Sequence, residues 1–216
     1  MEYIDQAEWG SRTEYPDDPS FEPRYIVIHW GGLTDYVPPE GEARQLKGWQ
    51  RYHMDSKGWS DIAYNFAIGD SGRLYRLRGY NRGGHTKGTT PEGDSYNSAS
   101  LGIVWIGGKK AGTPSAEAFD AMSSVINELG LQVRGHRTVK IENNSWTQCP
   151  GDEWLEYIVN RGWEMSDFKP PKKVFEKSWA AALKAGIVSE EYSDPWDNVD
   201  KQELMEFFYR MGLISD

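Results

Sequence analysis

Three residues of types that ligate transition metals lie far apart in this chain. His29 lies near the end of the run "RYIVIHW", His136 lies in "VRGHRTV", and Cys149 lies in "SWTQCPG". Two imidazoles and one thiolate match the ligand set of a catalytic zinc site, which leaves a fourth position open for water. Because the chain has no HExxH and no CxxC motif, spacing alone does not establish such a site. The alternatives are a strand-end histidine satisfied by backbone groups and a cysteine that packs as a small apolar residue.

Other polar and aromatic residues are candidates for substrate contacts. His85 is interpreted either as a substrate contact or as an ordinary loop histidine, whereas His53, on a predicted helix face, is interpreted as structural. Tryptophan rings stack on sugars, which makes Trp30 a candidate, although most tryptophans in such a chain lie in the core. Asn97 in "SYNSAS" is a further candidate for a substrate contact, although local turn chemistry explains an asparagine there equally well.

Alternating strands and helices are expected to position these residues. The β-branched, apolar run from Tyr25 to Ile28 predicts a buried central strand that ends at His29. The other predicted elements are a helix over roughly residues 41–56 with Leu46, Trp49, Tyr52 and His53 on one face, a hairpin in "DIAYNFAIGDSGRLYRLR", a polar loop over 79–100, a strand over 101–108, a helix over 113–130, a short loop or strand around His136, and a helix after Cys149. The predicted fold class is α/β, with a central mixed β-sheet flanked by helices and a small C-terminal helical unit.

Composition excludes several classes of function. The formal net charge of −9 argues against electrostatic binding to nucleic acid or to anionic lipid. No stretch approaches the ~18 apolar residues of a membrane span, so membrane insertion is not expected. The single cysteine excludes an internal disulfide. The first twenty residues lack the basic and apolar regions of a secretory signal, which predicts a protein located in the cytoplasm.

The chain is predicted to divide near residue 165. Residues 166–173 are polar and contain a Pro-Pro pair, which is typical of a short, stiff linker. Residues 174–216 show helical spacing of apolar positions and are weakly similar to a surface-layer-homology repeat. This unit is interpreted either as a module that binds cell-wall polymers or as a helical appendage that packs on the first domain or mediates dimerisation.

Six motifs occur together and in order: "YIVIHWGG", "HMDSKGWSDIAYNFAIGDSGRLYRLR", "GGHTKG", "YNSASLGIVWIGG", "VRGHRTV" and "TQCPGDEW". Over residues 24–158 the chain therefore resembles the zinc-dependent N-acetylmuramoyl-L-alanine amidases, which include phage lytic amidases and animal peptidoglycan recognition proteins. The resemblance implies that residues 1–165 form an amidase domain. It also implies that His29, His136 and Cys149 bind Zn²⁺.

The same resemblance assigns roles to residues around the metal. Tyr64 in "GWSDIAYNF" corresponds to the site tyrosine of the family, and Thr147 occupies a position where some members carry lysine. The lysine version of the mechanism therefore cannot be transferred, and Thr147 is expected to act as a neutral hydrogen-bond donor. His85 corresponds to a residue that lines the cleft, and Asn97 lies in a loop that touches the stem peptide in the family.

The resemblance implies zinc-dependent hydrolysis of the amide between N-acetylmuramic acid and L-alanine in bacterial peptidoglycan. An expected setting is host lysis by a phage or prophage endolysin, which waits in the host cytoplasm until the membrane is permeabilised. The alternatives are a cytoplasmic muropeptide-recycling amidase and a non-catalytic peptidoglycan-binding protein. A lysozyme-like glycosidase would need a carboxylate pair such as Asp61 and Glu153, but nothing in the sequence singles these two out.

Overall fold

The computed structural model describes residues 3–108 and 112–162, which contain one five-stranded mixed sheet flanked by helices. This confirms the predicted fold class. The strands are β1 (Tyr25–Trp30), β2 (Phe66–Ile68), β3 (Leu74–Arg76), β4 (Ser100–Trp105) and β5 (Gln132–Gly135). The helices are α1 (Gln6–Trp9), α2 (Glu42–Arg51), α3 (Tyr96–Ala99), α4 (Ala116–Leu129), α5 (His136–Glu142) and α6 (Asp152–Asn160). The predicted linker 166–173 and the predicted helical unit 174–216 lie outside the described residues.

Strand β1 lies inside the sheet, whose strand order is β3-β2-β4-β1-β5. It pairs in parallel with both β4 and β5, and only the β2–β3 hairpin is antiparallel. Ile26, Val27 and Ile28 are fully buried, which explains why this strand reads as a continuous apolar run. His29 therefore lies near the carboxyl end of a central parallel strand, the edge at which open α/β sheets bind ligands.

Helix α4 covers one face of the sheet and lies within the predicted range 113–130, although it begins only at Ala116. The Ser115 side chain caps it by accepting a hydrogen bond from the Ala118 N–H at 3.0 Å. Gly130, at φ 61°, ends it in the left-handed region. Its buried side chains, Ala118, Met122, Val125 and Ile126, join the core that also contains β1, β4 and Trp154 of α6.

Three local predictions differ from the structure. The sequence predicts a short loop or strand around His136, whereas in the structure β5 ends at Gly135 and helix α5 begins at His136. The predicted loop 79–100 contains the short helix α3. The predicted helix over 41–56 is α-helical only to Arg51 and continues as a π-helical turn over Tyr52–Ser56, where Tyr52 is exposed instead of sharing the buried face of Leu46. Among the described residues, no helix has the length and apolar content needed to cross a bilayer.

Candidate metal centre

His29, His136 and Cys149 converge at the end of β1 although 120 residues separate the first from the last. One ligand atom from each lies within 4.8 Å of the others, and the His29 Nδ1 lies 3.7 Å from the Cys149 Sγ. Neighbouring ligand atoms around one tetrahedral zinc lie about 3.5 Å apart, so small side-chain rotations bring all three to that spacing. Three neutral or thiolate ligands with a fourth position left to solvent is the arrangement of a catalytic zinc site.

His136 shows most directly that these residues fit a metal ion. Within the part of the chain that the structure describes, both of its ring nitrogens are buried without a hydrogen-bond partner. Burial, together with the nearby Lys140 ammonium, lowers the pKa of His136 to about 3, so the imidazole is neutral and offers a lone pair. Buried polar atoms without partners are rare in folded proteins, and a bound metal ion would satisfy the one ring nitrogen of His136 that carries the lone pair.

The thiol of Cys149 fits a cation equally well. Burial raises its pKa to about 12, against the opposing effect of the Trp30 backbone N–H, which donates to Sγ at 3.3 Å. A thiolate in this position therefore needs a positive charge beside it, which a divalent metal supplies. Both observations indicate that His29, His136 and Cys149 fit a divalent metal ion.

Arg137 ties the loop that carries Cys149 to the helix that carries His136. Its Nε donates to the Thr147 carbonyl oxygen at 3.1 Å, one terminal nitrogen donates to the Gln148 carbonyl oxygen at 2.9 Å, and the other contacts Asp152 at 2.6 Å. Its guanidinium also lies over the Trp146 ring at 4.9 Å. We call this set of contacts the Arg137 clamp. It holds two metal ligands in one arrangement although they lie on different elements.

Tyr64 lies beside His29, with 5.0 Å between the ring centroids. Its backbone adopts φ 75°, a left-handed conformation that is uncommon for an aromatic residue and is found preferentially at functional sites. The segment before Tyr64 is held from two directions: Arg78 donates to the Ile62 carbonyl oxygen at 2.6 Å, and His53 accepts from the Ala63 N–H at 3.1 Å. His53 therefore helps to hold the segment that carries Tyr64.

A cleft with a volume of about 600 Å³ opens over the metal centre. Its lining residues are His53, Trp59, Ser60, Ala63, Tyr64, Arg78, Gly84, His85, Thr86, Lys87, Asn97, His136 and Lys140. No carboxylate is among them, whereas Arg78, Lys87 and Lys140 are cationic. On a chain with a net charge of −9, this cleft presents a local positive field that suits a ligand with carboxylates.

The predicted substrate contacts fall into different environments. His85 and Asn97 line the cleft, but the Asn97 carboxamide oxygen is already held by the backbone N–H groups of His85 and Thr86 at 2.9 and 3.0 Å. Trp30 packs against the hydrophobic core and is not among the cleft-lining residues. The Thr147 hydroxyl accepts from the Cys149 N–H at 3.3 Å, so this hydroxyl stabilises the turn before the thiol.

Two carboxylates that a glycosidase would need lie elsewhere. Asp61 is 1% exposed and accepts from the Gln50 side chain at 2.7 Å, and Glu153 lies on the exposed side of α6. Neither lines the cleft.

Several residues of the site are not found by the sequence interpretation. Lys140 follows His136 by one helical turn, so a prediction of helix from His136 onward would have placed both on one face. Trp59 lies in the motif that contains Tyr64 and is 46% exposed at the cleft. Arg137 gives no signal of its own, because its role depends on backbone carbonyls ten and eleven residues away.

Comparison with known proteins agrees with this geometry. The family model for N-acetylmuramoyl-L-alanine amidase matches residues 19–152, a span that contains the three candidate ligands and every residue that lines the cleft. The chain belongs to this family. The family-level resemblance that the sequence motifs indicate is thereby confirmed.

Similar proteins within the family are named for recognition of peptidoglycan. Peptidoglycan-recognition protein 1 of Holotrichia diomphalia is 36% identical over 173 residues, which cover 74% of this chain and 80% of that protein. Peptidoglycan recognition protein 1 of Mus musculus is 33% identical over 168 residues, with 73% and 81% coverage. A solved structure of tracheal cytotoxin bound to the ectodomain complex of peptidoglycan recognition proteins LCa and LCx matches with a TM-score of 0.61 and 30% identity, and covers 73% of this chain and 95% of that chain.

Proposed function

We propose that this protein is a zinc-dependent N-acetylmuramoyl-L-alanine amidase that hydrolyses the amide between N-acetylmuramic acid and L-alanine in bacterial peptidoglycan. The observation that carries the proposal is the three-ligand cluster of His29, His136 and Cys149, in which the buried His136 ring has no hydrogen-bond partner among the described residues. A protein that only binds peptidoglycan has no need of a thiol and two imidazoles arranged with an open fourth position.

The chemistry of amide hydrolysis fits the residues of the site. Zinc bound by His29, His136 and Cys149 would lower the pKa of a water ligand to about 7 and polarise the scissile carbonyl. Tyr64 remains a neutral phenol because burial raises its pKa well above 10. Its hydroxyl can therefore donate a hydrogen bond to the oxygen that becomes negative during attack, and such a donor typically contributes about 10²–10³ in rate.

The cationic cleft supports a muropeptide as the ligand. Stem peptides of peptidoglycan carry carboxylates, and Arg78, Lys87 and Lys140 provide the only charged side chains among the described residues that line the cleft, histidines aside. The similar structure with a TM-score of 0.61 has tracheal cytotoxin bound. This ligand is of the class that the proposal assigns to the cleft, a fragment of peptidoglycan.

A digest of purified peptidoglycan tests the proposal. The full chain, loaded with zinc, is expected to release new L-alanine amino groups without new reducing sugars. Cys149→Ser is the matched variant, because it exchanges sulfur for oxygen at one ligand, and it is expected to release neither. New reducing ends without new amino groups would contradict the amidase proposal, and full activity of Cys149→Ser would contradict the zinc assignment.

A non-catalytic peptidoglycan-binding protein is the second candidate, since the similar curated proteins are named for recognition. In the same digest this candidate predicts retention of the chain on insoluble peptidoglycan and no release of either group.

We further propose that the physiological setting is the lysis of a bacterial host by a phage or prophage endolysin that reaches the wall from the cytoplasm after permeabilisation. The 64 residues that follow the family match, 153–216, end in the segment with weak similarity to a wall-binding repeat, which supports this setting over muropeptide recycling. Addition of the protein to permeabilised and to intact cells tests it. Loss of turbidity only after permeabilisation is expected, and activity restricted to soluble muropeptides would favour recycling.

A further inference from the structure

A chain of hydrogen bonds runs from the interior of the protein to His29. The Ser100 hydroxyl donates to the Tyr96 carbonyl oxygen at 2.5 Å, and the same oxygen of Ser100 lies 3.1 Å from the His85 Nε2. The His85 Nδ1 lies 3.0 Å from the His29 Nε2. Ser100 is fully buried and His29 is 1% exposed, so these contacts are shielded from water.

The positions of the protons in this series of hydrogen bonds follow from the Tyr96 carbonyl oxygen, which cannot donate. The carbonyl oxygen of Tyr96 only accepts, so it uses the single hydroxyl proton of Ser100. The Ser100 oxygen must then accept from His85, which places the proton of the neutral His85 ring on Nε2. The Nδ1 of His85 is left with a lone pair, and it accepts from the His29 Nε2.

We propose that His85 is a positioning residue that fixes His29 in the tautomer with its proton on Nε2. The lone pair of His29 is then on Nδ1, the nitrogen that faces the Cys149 Sγ at 3.7 Å. This inference rests on the proposed zinc site, and it assigns His85 a role other than contact with the substrate. Groups that orient a metal-bound histidine in this way raise both its basicity and its precision of placement.

The surroundings of His85 are built to hold the ring in place. A Cβ added at Gly102 would lie 2.4 Å from the His85 Cγ, so only glycine leaves room for the imidazole against β4. The Asn97 carboxamide holds the backbone of the same loop at His85 and Thr86. A histidine that served only as a contact on the cleft surface would need neither the space at Gly102 nor the Ser100 anchor.

Zinc affinity without substrate separates a positioning role from a substrate contact. In the full chain, His85→Ala is expected to weaken zinc binding about 10- to 100-fold, measured by competition with a chromogenic chelator. His85→Asn keeps an acceptor oxygen near the position of Nδ1 and is expected to restore most of the affinity. A His85→Ala variant that binds zinc as tightly as wild type, with only KM for peptidoglycan raised, would overturn the inference.

The tautomer can also be measured directly in the wild-type protein. Nitrogen-15 chemical shifts and one-bond couplings are expected to show the His29 proton on Nε2, and a proton on Nδ1 would overturn the inference even where His85→Ala fails to fold. Failure of wild type to bind zinc would instead remove the proposed function. The two failures are therefore distinguishable.

Discussion

His29 and His136 face each other across the candidate metal centre, with 4.4 Å between their ring centroids, yet their surroundings are opposite. The His29 ring at the end of β1 is partnered at both nitrogens, by His85 and by Cys149. The His136 ring at the start of α5 is buried with no hydrogen-bond partner among the described residues. One half of the site is thus complete within the protein, whereas the other half holds a lone pair that a bound metal ion would satisfy.

Replacement of each histidine by leucine should give the largest effects. The two variants should lose zinc alike but differ in the free energy of unfolding. Both variants are expected to lose zinc and at least about 10³-fold in activity. In the metal-free chain, however, His136→Leu should raise the free energy of unfolding by about 1 kcal/mol, because it removes two unsatisfied nitrogens. His29→Leu should lower the free energy of unfolding by about 2 kcal/mol, because this substitution leaves the buried His85 Nδ1 without its hydrogen-bond partner.

Metal content by atomic absorption and urea denaturation after chelation check both statements. Equal stability changes in the two variants would show that the difference between the two imidazoles has no energetic meaning.

Removal of the Tyr64 hydroxyl should give the next largest effect and probes the side of the site next to His29. Tyr64→Phe is expected to lower kcat about 10²- to 10³-fold with zinc content unchanged, since it deletes a donor to the developing oxyanion. Thr147→Val is the matched change on the loop side and is expected to cost less than about 10-fold, because Thr147 is not among the residues that line the cleft and its hydroxyl contacts the Cys149 N–H. A larger loss for Thr147→Val than for Tyr64→Phe would reverse the assignment.

A change in the Arg137 clamp tests how the loop half is held. Arg137→Lys keeps the positive charge but cannot reach the Thr147 and Gln148 carbonyls together, so zinc affinity should fall about 10-fold. Arg82→Lys is the control, because Arg82 makes its ion pair with Asp18 on the surface, away from the residues that line the cleft. Equal zinc affinity of the two variants, measured by chelator competition, would remove the clamp from the description of the site.

Acid should destabilise the metal-free chain through the protonation of His136 and His85. Burial lowers the pKa of His136 to about 3 and that of His85 to about 4, whereas both titrate near 6.5 in an unfolded chain. The unfolded state therefore binds more protons between these values, so the free energy of unfolding falls as the pH is lowered from about 7 toward 4. His136→Leu should flatten this dependence in urea titrations, and an unchanged slope would contradict the depressed pKa.

The sequence predicts the sheet-borne part of the site well and the remainder poorly, for a physical reason. A continuous apolar run identifies β1 and places His29 at its end without knowledge of any distant residue. The assembly of His136 and Cys149 with His29 follows from the order of family motifs, because ligands more than a hundred residues apart leave no local spacing. The sequence does not predict the start of α5 at His136, since the glycine before it favours a loop or strand in isolation.

The role proposed for His85 depends on pairing between elements that no local pattern specifies. Ser100, the first residue of β4, and Gly102 can support His85 only when β4 pairs with β1 and the loop before α3 packs against β4. The small size of these two residues is explained equally well by strand packing when the sequence is considered alone. Tertiary context, and not propensity, therefore decides which residues support a metal ligand.

The Arg137 clamp has a consequence for the rate at which metal would leave the site. An ion already held by His29 and His136 meets the Cys149 thiolate as part of the same molecule, so the local concentration of the third ligand is set by a short, fastened loop. Each transient loss of the sulfur contact would be followed by recapture before the ion escapes. Exchange of the metal would then be timed by the opening of residues 146–152, so this guanidinium would lengthen the residence time of the metal as it raises the affinity.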